Sequence, residues 1–180
     1  MVEPEWVKRA QAGDREACIR LLREVEAAVY RTAYYLLGNE HDALDATQEA
    51  LLRIYNRLSS YKGKSRFETW AQRIVANICI DHFRRKKREI PYPEGINPAD
   101  PKAGSAVERP GVAMDLQQAL RKLPPPQQTA IVLRYVHDFS YEEIAEAMDV
   151  PLNTVKSHLF RARKKLQEWL SEYQEGGVVP

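Results

Sequence analysis

Ser157 and Arg161 stand one helical turn apart with Lys156 and Phe160 beside them, in a stretch, Thr154 to Lys165, that carries five bases and no acid. The chemistry open to such a face is recognition of a polyanion. With Val155, Leu159, Ala162, Leu166 and Leu170 forming an apolar stripe at helical spacing, Asn153, Lys156, Ser157, Phe160, Arg161 and Lys164 share the opposite side. Arginine can pair bidentately with guanine, lysines hold phosphates, and an aromatic on a basic face is accounted for by thymine methyls. A plain solvated basic face would carry the same charges, although it gives no reason for Phe160.

The elements that must position this face lie just before it. Ser140 and Glu143 form a capping box that starts a helix at Tyr141 and carries it to Met148, where Asp149 stops it. Pro151 breaks the chain again, and Asn153 or Thr154 is read as the cap of the second helix. The segment Asp138 to Asp149 holds five acids and no base, the reverse of the basic stretch after it. Two short helices around a tight break make a helix-turn-helix, with the second helix as the reader.

A second constellation occupies Ser60 to Arg88, where nine bases face only Glu68 and Asp81 and the aromatics Tyr61, Phe67, Trp70 and Phe83 are interleaved. Phe67, Ala71, Ile74 and Ile78 mark the buried side of a helix; Arg66, Trp70, Arg73, Asn77, Asp81 and Arg84 fall on another stripe. Basic groups that follow phosphates, aromatics that stack on unpaired bases and an amide that reaches a base edge suit single-stranded DNA. Trp70 as a half-buried core residue, and Arg84 to Arg88 as a solvated helix end, are the plainer alternatives.

Between these and the N-terminus, His41 to Leu58 spaces Leu44, Thr47, Leu51, Ile54 and Leu58 by three and four, which predicts one packing face. Its other face sets Glu40, Asp42, Asp45 and Glu49 against Arg53 alone. That surface suits a basic partner, or water. Cys18 and Cys79 stand apart in apolar helical stretches, without CxxC, and are expected to be buried free thiols. The pairs His41-Asp42, Asp81-His82 and His137-Asp138 lack a common spacing, so a metal phosphohydrolase is a distant reading and no metal or other cofactor is expected.

With 29% charged and 44% hydrophobic residues in 180, the chain has room for one domain or two small ones. No apolar run approaches a membrane span, and the opening MVEPEWVKRAQAGD lacks a signal peptide's apolar core, so a cytoplasmic protein is expected. Glu5 to Ala12 and Arg15 to Leu37 read as helices, the second capped by Asp14, packed through Ile19, Leu22, Val29, Ala33 and Leu36, and ended by Gly38. From Ile90 to Ala113, five prolines and three glycines forbid a continuous helix and mark a flexible linker. Asp115 to Leu123 and Pro126 to Val136 then read as helices packed under the helix-turn-helix. The fold class is therefore all-α: two small helical domains, 1–89 and 114–175, joined by residues 90–113.

In this order the parts resemble the extracytoplasmic-function group of bacterial sigma factors, over almost the whole chain. DATQEALLRIY is similar to the family segment that docks on the clamp helices of the polymerase β′ subunit, which implies core binding by Asp42, Asp45, Gln48, Glu49 and Arg53. YKGKSRFETWAQRIVANICIDHFRR looks like sigma region 2, which melts and reads the −10 element. The resemblance implies that Tyr61, Lys62, Lys64, Ser65 and Phe67 form a loop that captures a flipped base, with Trp70, Arg73, Asn77, Arg84 and Arg85 alongside. FSYEEIAEAMDVPLNTVKSHLFRARKKL is similar to region 4, implying −35 readout, of a G-G-A-A-C-like core, by Asn153, Thr154, Lys156, Ser157, Phe160, Arg161, Lys164 and Lys165. Implied partners are promoter DNA, the β′ clamp helices and β flap of core polymerase, and in some members an anti-sigma factor.

The sequence departs from the family pattern in places. Ala46 and Thr47 replace apolar residues, Asp149 and Asn153 stand where glycine is frequent, and His158 stands where arginine is common. Asp and Asn tolerate the left-handed backbone that glycine supplies, so both turns are expected to survive. The rival reading is a stand-alone helix-turn-helix regulator that binds duplex DNA without polymerase and dimerises through its N-terminal part.

Overall fold

The computed structural model describes residues 2–89 and 112–176, with side chains over 2–86 and 117–169. Each helix boundary has a local cause. Pro4 opens α1 (Pro4–Gln11), where its missing N–H costs nothing, and Gly13 turns the chain at a positive φ of 95°. Asp14 then caps α2 (Arg15–Leu37): its side chain accepts from the Glu16 and Ala17 amides at 3.0 and 3.1 Å. These amides, first that of Ala17, and next the Arg9 guanidinium hold the Asp14 carboxyl below its usual range. Gly38, left-handed at φ 75°, ends α2, and Asn39 caps α3 (Glu40–Arg57) by accepting from the Asp42 amide at 2.8 Å. A 3-10 turn at Leu58–Ser60 and a loop over 61–66 lead into α4 (Phe67–Glu89).

α1 to α4 share one core, in which Leu36, Ile54, Val25, Val29 and Val75 are fully buried. Each contributes roughly 1.5–3 kcal/mol of burial relative to exposure. Two expected packing faces hold except at their first residues, Leu44 and Ile19. On α3 the buried residues are Ala43, Ala46, Thr47, Ala50 and Ile54, whereas Leu44 is 47% exposed. Small residues let α3 approach α2 closely, and the larger side chains turn outward. On α2, Cys18 and Leu21 point inward and Ile19 is 43% exposed. Cys18 and Cys79 are buried free thiols as expected, and burial pushes the Cys79 thiol up to about 12.

Of the linker expected over 90–113, residues 90–111 lie outside the described residues, and the last two belong to α5 (Val112–Arg121). α6 (Pro125–Tyr135) starts on its prolines. The capping box of α7 (Tyr141–Met148) has both hydrogen bonds: the Glu143 amide donates to Ser140 Oγ at 3.1 Å, and the Ser140 amide donates to Glu143 Oε2 at 2.9 Å. Asp149 adopts the left-handed conformation at φ 57°, in the place of a glycine. α8 (Leu152–Gly176) starts directly after Pro151, so Asn153 and Thr154 sit in its first turn and neither is its cap, and Asn153 needs no left-handed backbone. Leu120, Leu133, Ile144, Val155 and Leu159 form the second core.

Candidate nucleic-acid interface

α8 is held by the apolar stripe Val155, Leu159 and Ala162, each at most 1% exposed, against α6 and α7. Its opposite side presents Asn153, Lys156, Ser157, Phe160, Arg161 and Lys164, all exposed, with Thr154 and Lys165 half-buried at the margin. Phe160 is 65% exposed, so no core contact explains it. An apolar ring projecting from a basic helix at the outer face of a capped helix-turn-helix is placed to enter a major groove. His158 lies half-buried on the flank. Burial, and then the neighbouring Arg161 charge, lower its pKa, and its Nδ1 has no hydrogen-bond partner among the described residues. A neutral imidazole is thus set beside Arg161.

At the start of α4 the aromatics meet as a cluster. Ring centroids of Tyr61 and Phe67, Tyr61 and Trp70, and Phe67 and Trp70 are 5.4, 5.2 and 5.5 Å apart. The Tyr61 hydroxyl donates to the Ser65 carbonyl at 2.5 Å, which pins the loop; burial first, then Glu68 and Glu146, raise its pKa. Phe67 is 3% exposed and floors the cluster, so it offers no face to a base in this conformation, contrary to the loop role expected of it. Lys62 and Lys64 are exposed at the loop tip, Tyr61, Ser65, Trp70 and Arg73 are half-buried, and Asn77, Arg84 and Arg85 are exposed along α4.

The acidic side of α3 is more internally paired than its sequence suggests. Asn39 donates to Asp42 Oδ2 at 2.6 Å and His82 Nε2 of α4 lies 3.4 Å away. The Asn39 bond foremost, and then His82 and nearby cations, lower the Asp42 pKa against the opposing effect of burial. His41 approaches Asp45 at 3.5 Å and Arg53 donates to Glu49 at 2.5 Å. Gln48 is exposed between them. Sequence reasoning missed the apolar part of this surface: Leu44, Leu52 and Tyr55 are 47%, 63% and 55% exposed. Leucines that face solvent and leucines that face a core have the same spacing, and only the alanines opposite could have shown which was which.

The two cores also touch. Gln128 Nε2 donates to the Tyr35 and Leu36 carbonyls at 2.9 and 3.2 Å, Gln117 donates to the Tyr34 carbonyl at 3.3 Å, and Arg121 donates to the Gly38 carbonyl. Side chains of the C-terminal half thereby bond to carbonyls at the end of α2, of which that of Tyr34 also accepts from the Gly38 amide at 2.9 Å. Thr32 Oγ1 donates to Gln72 Oε1 at 2.6 Å and shares a hydrogen bond of 2.7 Å with His137 Nε2. Val132 and Val136 pack on the N-terminal core.

Comparisons with known proteins agree on one family. Residues 21–89 match Sigma-70 region 2 and residues 113–166 match Sigma-70, region 4. The chain is 33% identical to the ECF RNA polymerase sigma factor SigW of Bacillus subtilis, over 96% of this chain and 98% of that one. It is 33% identical to the ECF RNA polymerase sigma-E factor of Escherichia coli, over 89% and 90%. Among solved structures, the sigma factor RpoE of Bartonella quintana, crystallised with the anti-sigma factor NepR, superposes with a TM-score of 0.67 at 29% identity, covering 83% of this chain and 94% of that one. The two matched regions, in the order and on the helices where the basic and aromatic faces lie, place the chain in the sigma-70 family of RNA polymerase sigma factors, in its ECF group, whose members direct the polymerase to promoters.

Proposed function

We propose that residues 1–89 dock on core polymerase and open and read the −10 element, that residues 114–175 read the −35 element through α8, and that residues 90–113 span the two. The observation that carries this division is the exposed face of α8, where Phe160 stands out from among Lys156, Ser157, Arg161 and Lys164. Arg161 is assigned to a guanine and Lys164 and Lys165 to phosphates. On α4, Arg73, Asn77, Arg84 and Arg85 follow the unpaired strand, with Trp70 supplying an aromatic edge. Asp45, Gln48 and Glu49, flanked by Leu44 and Leu52, meet the β′ clamp helices, and region 4 meets the β flap. The role is binding without catalysis, in the cytoplasm where polymerase works. Among the described residues no helix is long and apolar enough to cross a membrane. By the likeness to RpoE of Bartonella quintana, an anti-sigma factor belongs among the partners.

The test is transcription by core polymerase with and without the chain, with transcript starts sequenced. New starts preceded by a common −35 and −10 pair are expected. Tight, specific binding to duplex DNA by the chain alone, with no new starts when core is added, would instead identify a stand-alone regulator.

A further inference from the structure

α1 precedes the region 2 match at residues 21–89 and carries none of the assigned contacts. Its last residue nevertheless reaches the loop that leads into α4. Gln11 Nε2 donates to the Leu58 carbonyl at 2.9 Å and to the Tyr61 carbonyl at 2.8 Å, so both amide hydrogens are engaged across 47 and 50 positions of sequence. Just before the same helix, the Val2 amide donates at 2.7 Å to Oε1 of Glu68, in the first turn of α4. The loop over 61–66 thus leaves from one contact with this N-terminal segment and arrives at another. We infer that α1 braces the −10 loop and that Gln11 is a positioning residue, holding the Tyr61 backbone so that the tip at Lys62, Lys64 and Ser65 is set before a base arrives. This inference rests on the reading of that loop as the one that captures an unpaired −10 base.

The brace has a footing of its own. Val7 and Ala10 of α1 are buried in the N-terminal core. The Arg9 guanidinium donates twice to Asp14 Oδ2, at 2.9 and 2.6 Å, and Asp14 in turn caps α2, so side chains close the turn between the two helices. Trp6 joins α1 to α2 a second time, with the Arg9 and Arg20 guanidinium groups 4.5 and 4.1 Å from its ring centre. The loop tip is built differently: Gly63 is left-handed at φ 68°, and a Cβ added there would meet open space. Order has to reach the tip from its root. Tyr61 supplies that root, held at its carbonyl by Gln11 and at its hydroxyl by the Ser65 carbonyl, with its ring packed on Phe67 and Trp70. A loop fixed at its root loses less freedom when it closes on a base, and a tip held in one geometry rejects bases that a loose one would accommodate.

The experiment uses the full chain with core polymerase and a promoter library whose −10 bases are randomised. Gln11→Ala removes both donors from an exposed side chain and leaves the buried side of α1 intact. Gln11→Lys returns a donor for the two carbonyls. Lys64→Ala with Ser65→Ala reports on the tip itself, and Val29→Ala loosens the same core from α2. Hydrogen exchange of the free chain reads the amides of residues 62–66, and sequenced transcripts read base preference. Gln11→Ala should speed exchange at 62–66 on the order of tenfold and flatten −10 preference several-fold, while −35 duplex binding and core binding stay level. Gln11→Lys should return most of both, and Val29→Ala should lower output at every −10 sequence alike. Equal exchange at 62–66 in the wild type and Gln11→Ala overturns the brace. So does an unchanged preference in Gln11→Ala where the tip variant alters it, or a loss in Gln11→Ala that Val29→Ala reproduces base for base. Wild-type preference in both the tip variant and Gln11→Ala would reject the −10 reading of the loop instead, leaving the exchange result to judge the brace.

Discussion

Arg73 on α4 and Asp149 at the end of α7 meet at 3.0 Å across 76 positions of sequence, each drawn from a segment of opposite charge. Neither charge is needed to fold its own helix, since Asp149 serves the turn by its backbone and the Arg73 side chain is 40% exposed. Both are therefore open to substitution in tests of function.

For α8, Arg161→Ala should cost about 1–3 kcal/mol of −35 binding and flatten preference at a single guanine, whereas Lys164→Ala should weaken every sequence alike and lower the salt slope by about one. A −35 promoter library measured with both variants checks this. An even loss across the library for Arg161→Ala would make it a phosphate clamp.

On α3, Asp45→Lys with Glu49→Lys should abolish core polymerase binding and leave the −35 duplex affinity unchanged. Glu49→Lys also releases Arg53, its partner at 2.5 Å, so the surface changes sign. Co-purification with core polymerase and a gel shift read the two halves separately.

Trp70 and Asn77 separate by stability as well as by function. Trp70 is packed with Tyr61 and Phe67, so Trp70→Ala should lower the melting temperature, by about 2 kcal/mol or more of stability for a half-buried indole. Asn77 is exposed, and Asn77→Ala should leave stability within about 0.5 kcal/mol while impairing −10 discrimination. A pre-melted bubble template should recover transcription if Trp70 acts in opening, and should not if its only role is packing.

His137 makes the fold sensitive to acid. Burial first, and then the Arg31 charge, lower its pKa from 6.5 to about 4, with Asp138 acting in the opposite sense. A base whose pKa is depressed in the folded chain is neutral there and takes up a proton on unfolding. The fold should hold this contribution in full above about pH 6.5 and lose it progressively down to about pH 4. His137→Gln, which can still hydrogen-bond to Thr32, should remove this part of the acid response in thermal melts and leave only that of the carboxylates.

How far the sequence foretold this arrangement depended on the kind of interaction. The α7 boundaries, the capping box and the left-handed Asp149 were legible because a few adjacent residues determine them. The α8 face was legible because its charges recur at helical spacing. On α3, Thr47, Ile54 and Leu58 were read correctly and Leu44 was not: Leu44 outweighs Ala43 in any periodicity, yet the closely packed neighbour favoured the alanine. Phe67 was placed on the buried side of its helix and also in the base-capturing loop, and in this structure only the first holds. Thr32 meeting His137, and Gln128 meeting Tyr35, could not be seen at all, because polar contacts between distant segments leave no periodic trace.

The capping of the α2 carbonyls by Gln117, Arg121 and Gln128 has a calorimetric consequence. Hydrating apolar surface raises heat capacity and hydrating polar surface lowers it, so these polar contacts offset part of the heat-capacity change that Val132 and Val136 contribute to the joining of the two cores. The enthalpy of that joining accordingly varies less with temperature than it would for two purely apolar faces.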